Sequence, residues 1–308
     1  MTKTKRVGIA FPVHNRREIT LQCLRSLARI DSEGLEVHVV MVDDGSTDGT
    51  SEAVEREFPE VEVIRGDGNL WFTESTNVGV RAALKHDPDY IVMMNDDQVF
   101  DSKFLKYLVE TAEKYPRTIV GPLLLLWNEP HKIFQVSPRW ETFSGGWRHW
   151  YHQTVWTVPK KTWEVEIIVG NCVLIPVEAI RECGVMDSKR HLNCGDAEYT
   201  PRLRRKGWRL LIDPRARVFC QPNTVWERIS EMSLRRKFDK LFRDVGYVHN
   251  IRRRLKTSLD GAPSKIHGLA AFLVFYLALP LGKNVDKSLE PNEEKPLSEV
   301  YASKVVTK

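Results

Sequence analysis

Val42-Asp43-Asp44-Gly45-Ser46-Thr47-Asp48 is the stretch on which the reading of this 308-residue chain turns. Within seven residues an apolar run gives way to acids and turn formers. The β-branched segment Val37–Val42 leads into it as a strand, and Thr50–Phe58 leaves it with helical spacing and Ser, Thr and Asp available as caps.

The same unit repeats outward on both sides. Val7–Val13 is a strand-like run ending at His14-Asn15-Arg16, and Glu18–Ile30 follows with Ile19, Leu21, Leu24, Leu27 and Ile30 at helical intervals. Downstream, Val61–Ile64 reads as a strand, Asn77–Lys85 as a helix, Tyr90–Met94 as a strand ending at Asn95-Asp96-Asp97, and Ser102–Lys114 as a helix. Strands and helices alternating at this interval predict an α/β fold with a doubly wound, mostly parallel sheet. Ligands of such sheets bind beyond the carboxyl ends of the strands. The polar clusters at His14, Asp43-Asp44 and Asn95-Asp96-Asp97 are therefore expected at one edge. Carboxylates gathered there repel one another, and a Mg2+ or Mn2+ ion shared with substrate phosphates would resolve the repulsion. The plainer alternative is that Asn95-Asp96-Asp97 only caps the helix that follows.

Bulk composition fits a folded, water-soluble protein: 42% hydrophobic and 28% charged residues exclude wholesale disorder and a polytopic membrane protein. The net charge of +5 is uneven, with twelve Lys/Arg against four acids between Arg228 and Lys283. Such a block can contact anionic lipid headgroups, nucleic acid or a phosphorylated substrate. Five cysteines, an odd number with no C-x-x-C pair, are expected as reduced thiols. Neither a P-loop nor a G-x-G-x-x-G signature occurs. Six of the nine tryptophans fall between Trp127 and Trp163, where they can stack on sugar faces or simply fill core. Ile266–Leu281 carries no formal charge but is short for a bilayer span, which needs about 20 helical residues. Beside Arg252-Arg253-Arg254 it reads as a membrane-surface attachment, the alternative being a helix packed on the main domain or in a homodimer.

The ordered motifs resemble glycosyltransferase family 2, whose members invert at the anomeric carbon and have the GT-A fold. Ala10-Phe11-Pro12-Val13-His14-Asn15-Arg16 is similar to the family's first-strand loop, Val42–Asp48 to its V-D-D-G-S-x-D motif, and Asn95-Asp96-Asp97 to a variant of its D-x-D motif. Gly66-Asp67-Gly68-Asn69-Leu70-Trp71-Phe72-Thr73 with Asn77-Val78-Gly79 resembles a stretch of the rhamnosyltransferase-like branch. A tight turn before a helix would account for the same glycines.

The resemblance covers roughly residues 5–225. It implies a base pocket at Pro12, His14 and Asp44, donor contacts at Asn69, Trp71, Asn77, Asn95 and Asp96, and a metal ligand at Asp97. Gly195-Asp196-Ala197-Glu198-Tyr199-Thr200-Pro201-Arg202 resembles the family's E-D-x-x-x-x-x-R motif and makes Asp196 the expected general base. A helix N-cap is its plainer reading. Pro201 is expected to interrupt the helix there. Cys220-Gln221 stands where many members carry a metal-binding His, and His249 is a candidate substitute.

The expected organisation is a GT-A domain over 1–225, a basic and apolar helical extension over 226–282, and a disordered tail over 283–308. The expected activity is metal-dependent transfer of a sugar, L-rhamnose from dTDP-rhamnose, to a hydroxyl of a glycan or lipid-linked saccharide in cell-surface polysaccharide synthesis. Expected partners are the nucleotide-sugar donor, a glycan or glycolipid acceptor, the inner face of the cell membrane from the cytoplasmic side, and a second copy of the chain, with no nucleic acid. A catalytically impaired nucleotide-sugar binder and a sugar nucleotidyltransferase are the alternatives.

Overall fold

A computed structural model describes residues 4–136, 139–148, 150, 153–222, 232–247 and 249–278. Its first half follows the expected alternation: β1 (Lys5–Val13), α1 (Arg17–Leu27), β2 (Leu35–Asp43), α2 (Thr50–Glu57), β3 (Glu62–Arg65), α3 (Trp71–Ala83), β4 (Tyr90–Met94), β5 (Gln98–Phe100) and α4 (Phe104–Lys114). Strands β3, β2, β1 and β4 pair in that order, all parallel. The apolar residues of β1, β4 and the carboxyl half of β2 are buried, and those of the edge strand β3 are partly buried, as a sheet covered by helices requires.

The second half is mixed. β6 (Thr118–Leu126), β7 (Arg139–Glu141), β8 (Gly146–Arg148), β9 (Trp163–Glu164), β10 (Cys172–Pro176), α5 (Val177–Cys183), α6 (Asp196–Arg205) and β11 (Arg209–Cys220) follow. β10 lies antiparallel between β4 and β6, β11 runs parallel to β6, and β5 closes the far edge antiparallel to β11. One continuous sheet thus spans the chain from β3 to β5, with one core on each face.

Two boundaries differ from expectation. α3 begins at Trp71, six residues before Asn77, because the Asp44 carboxylate supplies a cap from outside the helix. α6 runs through Pro201 without interruption. Pro201 removes the amide that would have bonded the Ala197 carbonyl, and Gly261 fits against that carbonyl, where a Cβ would meet the oxygen at 2.6 Å.

After β11 come α7 (Leu234–Phe238), α8 (Ile251–Gly261) and α9 (Lys265–Ala278). α8 packs on α6, anchored by Arg205 donating to the carbonyls of Asp260 and Ala262, and α9 packs back on α8. The expected tail over 283–308 lies outside the described residues.

Candidate active site

The loops after β1 and β2 are zipped together at the carboxyl edge of the sheet. The His14 imidazole donates from Nδ1 to the Asp44 carbonyl at 2.7 Å, and the Asn15 carboxamide accepts from the Thr47 amide at 2.8 Å. Asp43 turns inward to the Ser46 amide and the Ser51 hydroxyl at the start of α2. Asp48 caps α2 through the Thr50 amide and also holds the Arg17 amide. Gly45 is required here: its φ is +75° and an added Cβ would strike the Gly68 amide at 2.8 Å.

Asp44 is buried, and its two oxygens accept the backbone amides of Gly68 (2.9 Å), Leu70 (3.2 Å) and Trp71 (2.9 Å). It therefore shapes the 66–71 loop, while its own backbone carbonyl holds His14. Trp71 is held at a φ of +59°, which a bulky residue adopts only when its surroundings impose it, and it stays 41% exposed. Asn69 is exposed on the same loop.

Asn77 is 1% exposed, and its carboxamide accepts from the Met186 amide at 3.1 Å and donates to the Met186 carbonyl at 2.8 Å, which locks α3 to the segment before α6.

The Asn95-Asp96-Asp97 triplet divides its labour. Asp96 is 2% exposed, accepts from the Thr20 hydroxyl at 2.8 Å and pairs with Arg16 at 3.0 Å. Burial pushes its carboxyl up to about 6, partly countered by the Arg16 guanidinium. Asp96 thus faces the protein, and its expected donor contact is replaced by an anchoring one. Arg16 reaches across to Asp97 Oδ2 as well, also at 3.0 Å. The repulsion expected between these carboxylates is answered by Arg16, whose place in the sequence before α1 carries no local sign of this role. Among the described residues, Asp97 Oδ1 and Asn95 Oδ1 are buried without a hydrogen-bond partner. Two orphaned oxygen acceptors in one loop are of the donor type a hard cation takes.

The substitute ligands do not join them. Cys220 is wholly buried, and burial pushes its thiol far up. His249 is enclosed between Tyr247 and Phe275. Among the described residues, no group of three His, Cys, Asp or Glu at ligand spacing includes Asp97, Cys220 or His249.

Asp196 opens α6 at the floor of a cavity of about 210 Å3 lined also by Trp140, Trp147, Arg253 and Arg254. Its Oδ2 accepts the Gly170 amide at 2.9 Å, and Gly170 must be glycine because a Cβ would lie 2.7 Å from the Asp196 Cβ. Enclosure raises the Asp196 carboxyl above its ordinary range, while the Gly170 bond and, more weakly, Arg253 pull the other way. The neighbouring Asn171 carbonyl accepts the Asn95 amide at 2.9 Å and the Gln98 carboxamide at 2.6 Å. One dipeptide, Gly170-Asn171, therefore fixes Asp196 relative to the acidic triplet. Gly195, where the family often has Glu, packs on Thr73, and a Cβ there would approach its methyl at 2.5 Å.

Arg253 and Arg254 were expected on lipid headgroups and are turned inward instead. Arg253 donates to the Gly246 carbonyl at 2.6 Å and to Cys194 Sγ at 3.0 Å, and Arg254 donates to the Gly145 carbonyl and stacks over Phe275. Nothing local could have revealed this, since α8 follows Asp196 by more than fifty residues.

With this geometry in place, the comparisons with known proteins are specific. A family model described as glycosyl transferase family 2 matches residues 9–184, more than half of the chain. An N-acetylglucosaminyl-diphospho-decaprenol L-rhamnosyltransferase of Mycobacterium tuberculosis is 24% identical over 204 residues, covering 59% of this chain and 66% of the relative, just under two thirds of its length. Among solved structures, GalNAc-T7 with UDP, GalNAc and Mn2+ superposes with a TM-score of 0.60 at 14% identity, covering 88% of this chain and 54% of that one. The mannosyltransferase PcManGT of Pyrobaculum calidifontis with GDP-Man and Mn2+ gives 0.55 at 17% identity, covering 99% and 80%. At these identities the structures establish the fold. The chain belongs to glycosyltransferase family 2 and has the GT-A fold.

Proposed function

We infer that this protein transfers a sugar from a nucleoside diphosphate to an acceptor hydroxyl with inversion, using Asp196 as general base. The observation that carries the reading is the Gly170-Asn171 bridge, which holds an enclosed carboxylate beside the triplet through two adjacent residues. The base and sugar moieties of the donor would occupy the pocket of Pro12, His14, Asn69 and Trp71, whose loop Asp44 shapes. A divalent ion, Mg2+ or Mn2+, would be held by Asp97 Oδ1 and Asn95 Oδ1 with the diphosphate and water, and would neutralise charge on the leaving group. Arg16, paired with Asp97, would add positive charge beside the same phosphates.

In the transfer, the acceptor oxygen forms its bond to the anomeric carbon as the bond to the diphosphate oxygen breaks on the opposite face. Asp196 takes the hydroxyl proton. Its raised pKa makes its ionised form a stronger base than an exposed aspartate. Trp140 and Trp147 on the cavity wall offer apolar faces for an acceptor sugar.

L-rhamnose from dTDP-rhamnose is the donor favoured by the likeness to the mycobacterial rhamnosyltransferase, and a lipid-linked saccharide the favoured acceptor. Among the described residues no helix is long and apolar enough to cross a membrane. A peripheral contact is supported by two exposed apolar stripes: Ile266, Leu269, Leu273 and Leu277 on α9, and Leu234, Phe238 and Phe242 at and after α7. Arg235, Arg236, Lys237 and Arg243 accompany the second stripe, the composition of an interfacial helix. Within the extension, α7 and α9 would face the membrane while α8 stays packed on α6.

The test is a panel of nucleotide sugars with Mn2+ and a polyprenyl-diphosphate saccharide, read by nucleoside diphosphate release and product mass. Rhamnose-dependent product is expected. Release from no donor with any acceptor would sink the reading.

A further inference from the structure

At the amino end of the strands, away from the site above, His38, Glu62 and His86 converge from three elements: β2, the first residue of β3, and the 3-10 turn Leu84–His86 that ends α3. His38 Nε2 and His86 Nε2 both point at the same oxygen, Glu62 Oε2, at 2.9 and 3.2 Å. The two imidazoles lie face to face with centroids 3.6 Å apart and planes 31° from parallel. All three ligand atoms lie within 4.8 Å of one another.

We propose that His38, Glu62 and His86 form a surface binding site for a borderline first-row divalent ion, Zn2+ in the first instance, distinct from the nucleotide-sugar site. Two neutral imidazoles and a carboxylate are the donor set such ions prefer, and Mg2+ prefers oxygen alone. With metal–ligand bonds of about 2.0–2.1 Å, tetrahedral ligand atoms sit about 3.3 Å apart. The two nitrogen–oxygen separations of 2.9 and 3.2 Å are close to that edge, and a rotation of the stacked imidazoles about their side-chain torsions would aim both nitrogens at one ion. All three side chains are partly exposed, giving an entry path and room for water in the remaining position.

The backbone frame is fixed independently of any ion. Glu62 is in register with Val40, two residues from His38 on the same face of β2, and His86 is carried by α3, which packs on that face. His38 is five residues upstream of Asp43, roughly 16 Å along the strand at about 3.3 Å per residue. A bound ion would cross-link the edge strand β3 to its neighbour and to the end of α3.

The experiment uses the full chain carrying Asp97→Asn, so that the nucleotide site contributes nothing, stripped with chelator and titrated with Zn2+ against a chromophoric indicator. One equivalent is expected, unaffected by excess Mg2+, with intense visible absorption when Co2+ is substituted. His38→Gln and His86→Gln each should weaken uptake at least tenfold. Glutamine can still hydrogen-bond to Glu62 but does not replace imidazole as a ligand, and metal-free thermal midpoints check that these variants fold. Absence of uptake, or wild-type uptake by the double glutamine variant, overturns the proposal.

Discussion

Asp196 is the residue whose environment makes the sharpest prediction. Its carboxyl is raised by enclosure, and the ionised form is the base. Transfer should therefore fall on the acid side with an apparent pKa above the usual value of about 4 for aspartate. Asp196→Asn should lower kcat by about 10²–10⁴ and remove that acid limb while donor binding, read by calorimetry, survives. Arg16 tests a different point. Removing its charge leaves Asp96 enclosed without its cation, which typically costs 3–5 kcal/mol. Arg16 is itself about a third exposed and Asp96 can take up a proton near pH 6, so a loss of about 2 kcal/mol is expected for Arg16→Ala in chemical denaturation. Arg16→Ala combined with Asp96→Asn should recover part of it, because no buried charge is then left unpaired.

At the scale of elements, α3 depends on a cap that belongs to another part of the sequence. Three amides of the 66–71 loop converge on Asp44, and all three lose their acceptor in Asp44→Ala. Destabilisation of about 2–3 kcal/mol is expected, together with weakened donor binding, measured by denaturant midpoint and by calorimetric titration of the nucleoside diphosphate. A local propensity argument would place the helix start near Asn77, since glycines and the strained Trp71 argue against helix before it. The remote carboxylate overrides that preference. α6 follows the same logic, because tertiary contact with Gly261 accommodates the carbonyl that Pro201 frees.

For the molecule as a whole, the exposed stripe on α9 is the feature that a compact, isolated protein would avoid. Leu269→Glu with Leu273→Glu changes two side chains about half exposed, so the fold should be retained. Flotation with anionic liposomes should be lost, while activity on a water-soluble acceptor analogue stays within about twofold. Loss of a dimer with unchanged flotation would move the stripe to a protein interface. The parallel half of the sheet and the edge that carries the site were legible from alternating runs and strand-end acids, because those are local patterns with fixed periods. The mixed half was not, since β10 enters between β4 and β6 from far along the chain and leaves no periodic mark. The sequence by itself determined which residues end the strands and hence which acids meet. Only the tertiary structure decided that Asp44, Asp96 and Asn77 turn inward while Asp97 and Asn95 keep open acceptors, and that Arg253 faces Asp196's cavity. The reason is that a polar side chain's direction is set by whichever partner satisfies it once water is excluded, and those partners lie scores of residues away.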